Sequence, residues 1–462
     1  MARAAASAAL IIPGRGPAED GAWIRPEDFG ARGDGITNDT EAFAALSDHV
    51  NGRGGGTVTL GRRKTYLVGK QVRNVERYFL SPLPILKFSG LDRPLRIIGN
   101  DARLAAATGL RFGIFDQATL QPRTFPRPNY RAEGICAPYD AMIEVSECAA
   151  SIEISGVELD GNVDGMIIGG PFGDTGHQLP GSGLILTNNR SAEIITAVHS
   201  HHHPLDGMII NGSEQRQGRG RISSLRTPFN GRQGLSVVGG KSYDFLDCDF
   251  SNTGRSKVFS APGAGVDIEA EGKRNRDISF RRCRFIANSG PGLLAAEGDS
   301  AGILCEHCTF VGTTSWSAWP NKPEMRFVDC TFVGAVANPF ADSNPALATQ
   351  FVDCRFKDDP ALAPEQRVFF NDSSGSGPIV DLGGNSGTNV LFRNCAFQLT
   401  HKGRLPWSHQ AIYRDNVMHQ ASPVPAYPRG RYQGRNIISG PVDLYGSTIA
   451  GELIVNGRRV LD

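Results

Sequence analysis

The chain has 462 residues, with 48 Lys and Arg against 47 Asp and Glu, a net charge of +1 and a sequence pI of about 7.6. So even a balance argues against a nucleic-acid partner, which demands a basic face, and no apolar run approaches the ~20 residues of a membrane helix. Gly (56) and Pro (28) are over-represented and Cys is odd in number at nine, which favours a fold with many corners over a disulfide framework.

Residues 1 to 26 form an N-terminal lead. Its start, MARAAASAALII, has one Arg and a short apolar run, a weak form of a secretion signal. A secreted or periplasmic location is the expectation, with an intact cytoplasmic start as the alternative. The next stretch, EDFGARGDGITNDTEAFAAL at 27 to 46, places Asn38, Asp39 and Thr40 ahead of Ala42, Phe43 and Leu46 on one helical face. A capped amphipathic helix is expected at about 38 to 50, closed by the glycines of 52 to 56. Short strands follow in GGTVTL and TYLVG.

The run DFGA, GDG, NDT, helix, GGTVTL, TYLVG resembles the opening of the pectate-lyase-type (family 3) right-handed parallel β-helix proteins. That superfamily holds polygalacturonases, rhamnogalacturonan-degrading enzymes, exopolysaccharide lyases, uronan epimerases and phage tailspikes. The resemblance implies an all-β solenoid whose first coil is covered by the helix, and a polysaccharide or oligosaccharide as the partner. It carries no particular reaction.

Further along, the residues themselves point to the same architecture. Residues 57 to 68 read as a first coil, 70 to 140 as an irregular excursion, and SIEISGVELDGN at 151 to 162 as a clean coil whose Asp160 and Asn162 form a turn. From 245 a frame repeats: FLDCDF, FRRCRF, LCEHCTF, FVDCTF, FVDCRF and FRNCAF, with Cys248, Cys283, Cys308, Cys330, Cys354 and Cys395 spaced by 35, 25, 22, 24 and 41 residues. A strand-and-turn unit this short cannot bury its own apolar face, whereas stacked copies about 4.8 Å apart can, with Cys over Cys and Phe over Phe. The β-helix is expected over 27 to 400 and a C-terminal capping segment over 401 to 462.

Coil starts superimpose on a glycine: GSGLILTN, LDGMIING, RQGLSVVG, GAGVDIEA and GPGLLAAE. Their outward positions are Ile185 and Thr187, Ile209 and Asn211, Ser236 and Val238, Asp267 and Glu269, Leu294 and Ala296. One coil alone offers carboxylates at both, about 6.7 Å apart in an extended strand, which suits an acid and base separated by roughly 6.5–9.5 Å in inverting glycosidases. Asp267 and Glu269, with Asp206 two coils below, are therefore the candidate catalytic residues, and a solvated acidic strand paired with Lys273 and Arg274 is the alternative.

Around them, Arg232, Glu271, His201, Asn211, Lys257 and Trp316 are candidate substrate contacts. Arg232 either grips an anionic group or pairs with Asp206 and Asp267; Lys257 and Arg255 share that ambiguity. Trp316 and Trp319 stack on sugar rings or on the core. The connection from 165 to 183 carries Phe172, Asp174 and His177. In VHSHHHPLDG, His199 and His201 share a face, and a metal pair with Asp206 is conceivable, yet no fourth ligand is evident and no CxxC pair occurs. Neither a metal nor another cofactor is expected.

Three functions follow: a glycoside hydrolase first; a polysaccharide lyase or C5-epimerase using Arg232, Lys257, His201 and Asp267 second; a non-catalytic glycan-binding β-helix, as a homotrimer or other homo-oligomer, third. The chain lacks the NTD with paired Asp, GHG and RIK pattern of polygalacturonases and the DPHE of epimerases.

Overall fold

The computed structural model describes residues 23–74, 77–123, 133–170, 179–372, 375–382 and 386–460. The start of the lead and Phe172, Asp174 and His177 lie outside them. The described chain is an all-β, right-handed parallel β-helix. Thirty-two strands share one sheet system in which nearly every pairing is parallel. Parallel neighbours joined by a full coil are what a solenoid of short repeats must form.

Each regular coil contributes three lines of strand. The coil starts form the first line: Ser182–Thr187, Met208–Asn211, the opening of Leu235–Leu246, Val266–Ile268, Leu293–Ala295 and Ala318–Pro320 pair in succession. The second line includes Arg274–Arg281, Asp299–Glu306 and Met325–Val328, and the third Arg284–Ile286, Thr309–Val311 and Thr331–Val333.

The bend between second and third lines is a single residue in the left-handed region. Asp247, Arg282, His307, Asp329, Asp353, Asn394 and Asp415 all have φ between 49° and 59° there. Asp and Asn recur because their short polar side chains tolerate this conformation. The Cys that follows turns inward: all six frame cysteines are buried, and all nine in the chain are free thiols. Phe285, Phe310, Phe332, Phe356 and Phe397 stack face to face behind them, 4.5 to 5.1 Å between ring centroids. A second column, Phe327, Phe351, Phe392, Tyr413 and Tyr432, is equally regular.

The helix Thr40–Gly52 buries Phe43, Leu46 and Val50 over the first coil. The motif before it has a local job. The Asp39 carboxylate accepts from the N–H groups of Arg32 and Gly33, and Asp34 accepts from those of Ile36 and Thr37. The stretch expected to be irregular is partly regular. Leu86–Ser89 and Leu95–Ala106 belong to the solenoid, while short strands at 71–73, 80–82, 111–114, 135–136 and 167–169 make a five-stranded side sheet. Beyond residue 400 the Cys and Phe frame ends but parallel pairing continues through Thr448–Val455, where Arg458–Val460 turns back antiparallel. No described helix is long and apolar enough to cross a membrane.

Candidate active site

The first strand line fixes the site. Residues flanking its outward row lie in the core: Leu184 and Leu186, Met208 and Ile210, Leu235 and Val237, Val266 and Ile268, Leu293 and Ala295. Alternation then aims the intervening residues away from the core. Register makes them one row: Lys87, Glu144, Ile185, Ile209, Ser236, Asp267, Leu294 and Trp319.

Asp267 leaves the core, yet it is no open-flank residue: it is 6% exposed. Gln233 covers it, donating Nε2–H to Asp267 Oδ2 at 2.8 Å while its own Oε1 accepts from the Ala264 N–H. Burial pushes the Asp267 carboxyl up to about 7, helped by the negative charge of Glu269 and opposed by Arg232. Such an acid holds its proton near neutrality and can give it away. The regular strand ends at Ile268, but Glu269 stays in register through its N–H to the Val237 carbonyl. Glu269 is half-buried, and burial, then Glu271 and Glu297, raise its carboxyl above the ordinary value. Glu271 is exposed beside it.

Asp206 joins the same cluster from the corner below and is fully buried. Arg232 holds it with Nε 2.8 Å from Oδ1 and a second contact to Oδ2, which also accepts from Ser236 Oγ at 2.8 Å. Of the two readings of Arg232, the geometry is that of the pairing: a bidentate contact with Asp206, within electrostatic reach of Asp267 and Glu271.

Other sequence candidates lie apart from this cluster. Lys257 spends its ammonium on the carbonyls of Asp164 and Met166, at 3.2 and 2.7 Å. His201 ends the strand Glu193–His201 on a different face, bonded to Glu158 and His202 rather than to Asp206. Arg255 is tied to the Ala287 carbonyl and Thr313. Asn211 is on the first line, two positions past the Ile209 row, and its carbonyl accepts from Lys273. Trp316 packs edge-on against Trp319 and Phe369, so Trp319 is the indole in the outward row.

Sequence reasoning missed Gln233 and Glu297. Gln233 carried no signal, because its role arises only when the next coil is laid above it. Glu297 ends GPGLLAAE and was legible as the next acid on the same edge.

No protein-family model and no curated protein matches the sequence. Among solved structures, the mannuronan C-5 epimerase AlgE6 A-module of Azotobacter vinelandii is similar in form, at 14% identity and a TM-score of 0.46 over 93% of this chain and 98% of that one. A thermostable α-1,3-glucanase catalytic unit of Streptomyces thermodiastaticus gives 12% and 0.44, over 95% and 69%. An exopolygalacturonase of Thermotoga maritima gives 13% and 0.36, over 96% and 94%. The likeness is one of overall form, and the fold itself rests on the parallel pairing above.

Proposed function

We propose that the protein is a glycoside hydrolase acting on a poly- or oligosaccharide laid along the outward row of the first strand line. The observation that carries this reading is the pair Asp267 and Glu269: neighbouring carboxyls in different surroundings, one nearly enclosed with its proton affinity pushed up to about 7, the other half-open to water. Asp267 would protonate the leaving oxygen, and Glu269 would take the proton of the attacking water. Asp206, neutralised by Arg232, would position Ser236 and Arg232 beneath the acid. Trp319, two coils above Asp267 and so about 10 Å along the axis, offers a flat apolar face for a sugar ring.

The residues named for lyase or epimerase chemistry favour it less. Arg232 is paired, Lys257 is bound to carbonyls and His201 is on another face. Incubation with a polysaccharide panel, reading reducing ends and the absorbance of unsaturated uronates together, separates hydrolase, lyase and inert binder. The hydrolase reading expects reducing ends without unsaturated product, lost in Asp267→Asn and Glu269→Gln. Full activity in both variants, or unsaturated product from the wild type, would overturn it.

A further inference from the structure

The third strand line carries a second cluster of chemistry at a corner the proposed hydrolase does not use. Its outward column runs Arg103, Glu158, His199, Arg226, Asp249, Arg284. Charges of opposite sign alternate along most of it, which is how a column of stacked side chains stays neutral. Beside this column, Asp160 and His201 are register partners in adjacent coils. His202 follows, at the start of the corner.

His202 has φ of 55°. In an extended strand consecutive side chains point to opposite faces; the left-handed turn at His202 brings its ring back beside that of His201. The two Nδ1 atoms are 2.7 Å apart, and Asp160 Oδ1 lies 3.7 Å from His201 Nδ1. Each of the three offers one ligand atom within 4.8 Å of the others.

We infer that Asp160, His201 and His202 form a site for a divalent transition-metal ion of the zinc class. Two imidazoles and a carboxylate are the donor set such ions select, and three protein ligands leave a fourth position for water or a ligand oxygen. Two of the three ligands have the outer partner that fixes a metal ligand's second atom, and the third is held by a ring stack. Glu158 Oε1 lies 3.2 Å from His201 Nε2, so a proton there leaves the Nδ1 lone pair free to face the ion. Asp160 Oδ1 accepts from the Asn162 N–H at 2.8 Å, and Arg103 holds Oδ2. The His202 ring lies flat on Phe229, 5.1 Å between centroids. His199 and Glu158 form a neighbouring set with His201, but Glu158 meets His201 at Nε2, the nitrogen away from the Nδ1 that faces Asp160 and His202, which leaves it the outer role. Asp206, the acid that sequence spacing put with these histidines, is bound to Arg232 instead.

The test is metal uptake by the full chain. Chelator-stripped protein is dialysed against Zn²⁺, the bound metal is counted, and Co²⁺ is used in parallel for its visible ligand-field bands. One ion per chain is expected, with bands showing nitrogen ligation. His202→Asn, which keeps a residue suited to the left-handed turn, should lose that ion. Glu158→Gln should keep the stoichiometry but bind about 10–100-fold more weakly. Asp267→Asn, on the other face, should bind like the wild type. The site is refuted if stripped wild-type protein takes up no ion, or if His202→Asn of unchanged melting temperature takes up as much.

Discussion

Arg232 and Asp206 form a bidentate ion pair in which the carboxylate has no exposure and the guanidinium also acts electrostatically on Asp267. Removing the cation therefore has two consequences. Arg232→Met leaves a buried carboxylate with Ser236 as its remaining side-chain donor, and should cost about 3–5 kcal/mol in urea unfolding. Adding Asp206→Asn should recover most of that loss, because the buried charge goes with its partner. Arg232 also holds the Asp267 proton affinity down, so the variant should carry the alkaline limb of any activity to higher pH. An Arg232→Met protein as stable as wild type would mean that the pair is solvated.

Asp267 makes the fold more stable in acid than in base. Its carboxyl is raised in the folded chain, from 3.8 to about 7, so the folded state binds the proton more tightly than the unfolded one. The resulting stability is complete below about pH 4 and is lost as pH rises through 7. Across that window the loss reaches about 4 kcal/mol, at 1.36 kcal/mol per unit. Asp267→Asn stays neutral throughout. It should match the wild type near pH 4 and exceed it in melting temperature at pH 8, while abolishing turnover. A variant no more stable at pH 8 would mean that Asp267 ionises freely.

These two cases mark how far the sequence could be read. The period-two alternation of Val266, Asp267 and Ile268, and the Cys and Phe frame, dictate which side chains enter the core, since a one-residue slip would reverse every one of them. The outward direction of Asp267 was therefore legible. Its burial was not, because Gln233 reaches it only once the coils are stacked. His201 shows the complementary limit. Alternation correctly set it beside His199, but which acid it meets depends on register with a coil some 40 residues earlier, where Glu158 and Asp160 lie opposite His199 and His201. The buried group of Glu193, Arg216 and Tyr243 was likewise invisible: Arg216 and Tyr243 both donate to Glu193 Oε2 from separate coils.

The bend residues provide a test of the backbone alone. Arg282 occupies the left-handed position with φ of 51°, where the other coils have mostly Asp or Asn. Its bidentate contact to Asp247 is solvent-exposed and is worth under about 1 kcal/mol. A β-carbon in this conformation costs roughly 1–2 kcal/mol, so Arg282→Gly should be neutral to stabilising by up to about 1 kcal/mol in urea titration. Asp353→Val, which forces a β-branched residue into φ of 58°, should lose more than about 1 kcal/mol. Equal loss in both variants would show that the side chains, not the bend, set the energy.

The aromatic columns carry a single-residue cost as large as that of the buried ion pair. Phe332 is fully buried, stacked at 4.9 Å on Phe310 and 5.1 Å on Phe356, with Phe327 and Phe351 edge-on at 5.4 and 5.6 Å. Every neighbour belongs to the same or an adjacent coil, and a solenoid has no second layer that could collapse into the vacated space. Phe332→Ala should therefore cost about 3–5 kcal/mol. Phe259, on the long loop and 38% exposed, should lose little on truncation, within about 0.5 kcal/mol. Removing Phe356 as well should cost less than the sum of the two single losses, because each ring is the other's stacking partner. Urea midpoints for the two single variants and the pair measure all three numbers. A Phe332→Ala midpoint close to that of the wild type would mean that the column relaxes around the gap, and that the stacked rings do not hold the coils together.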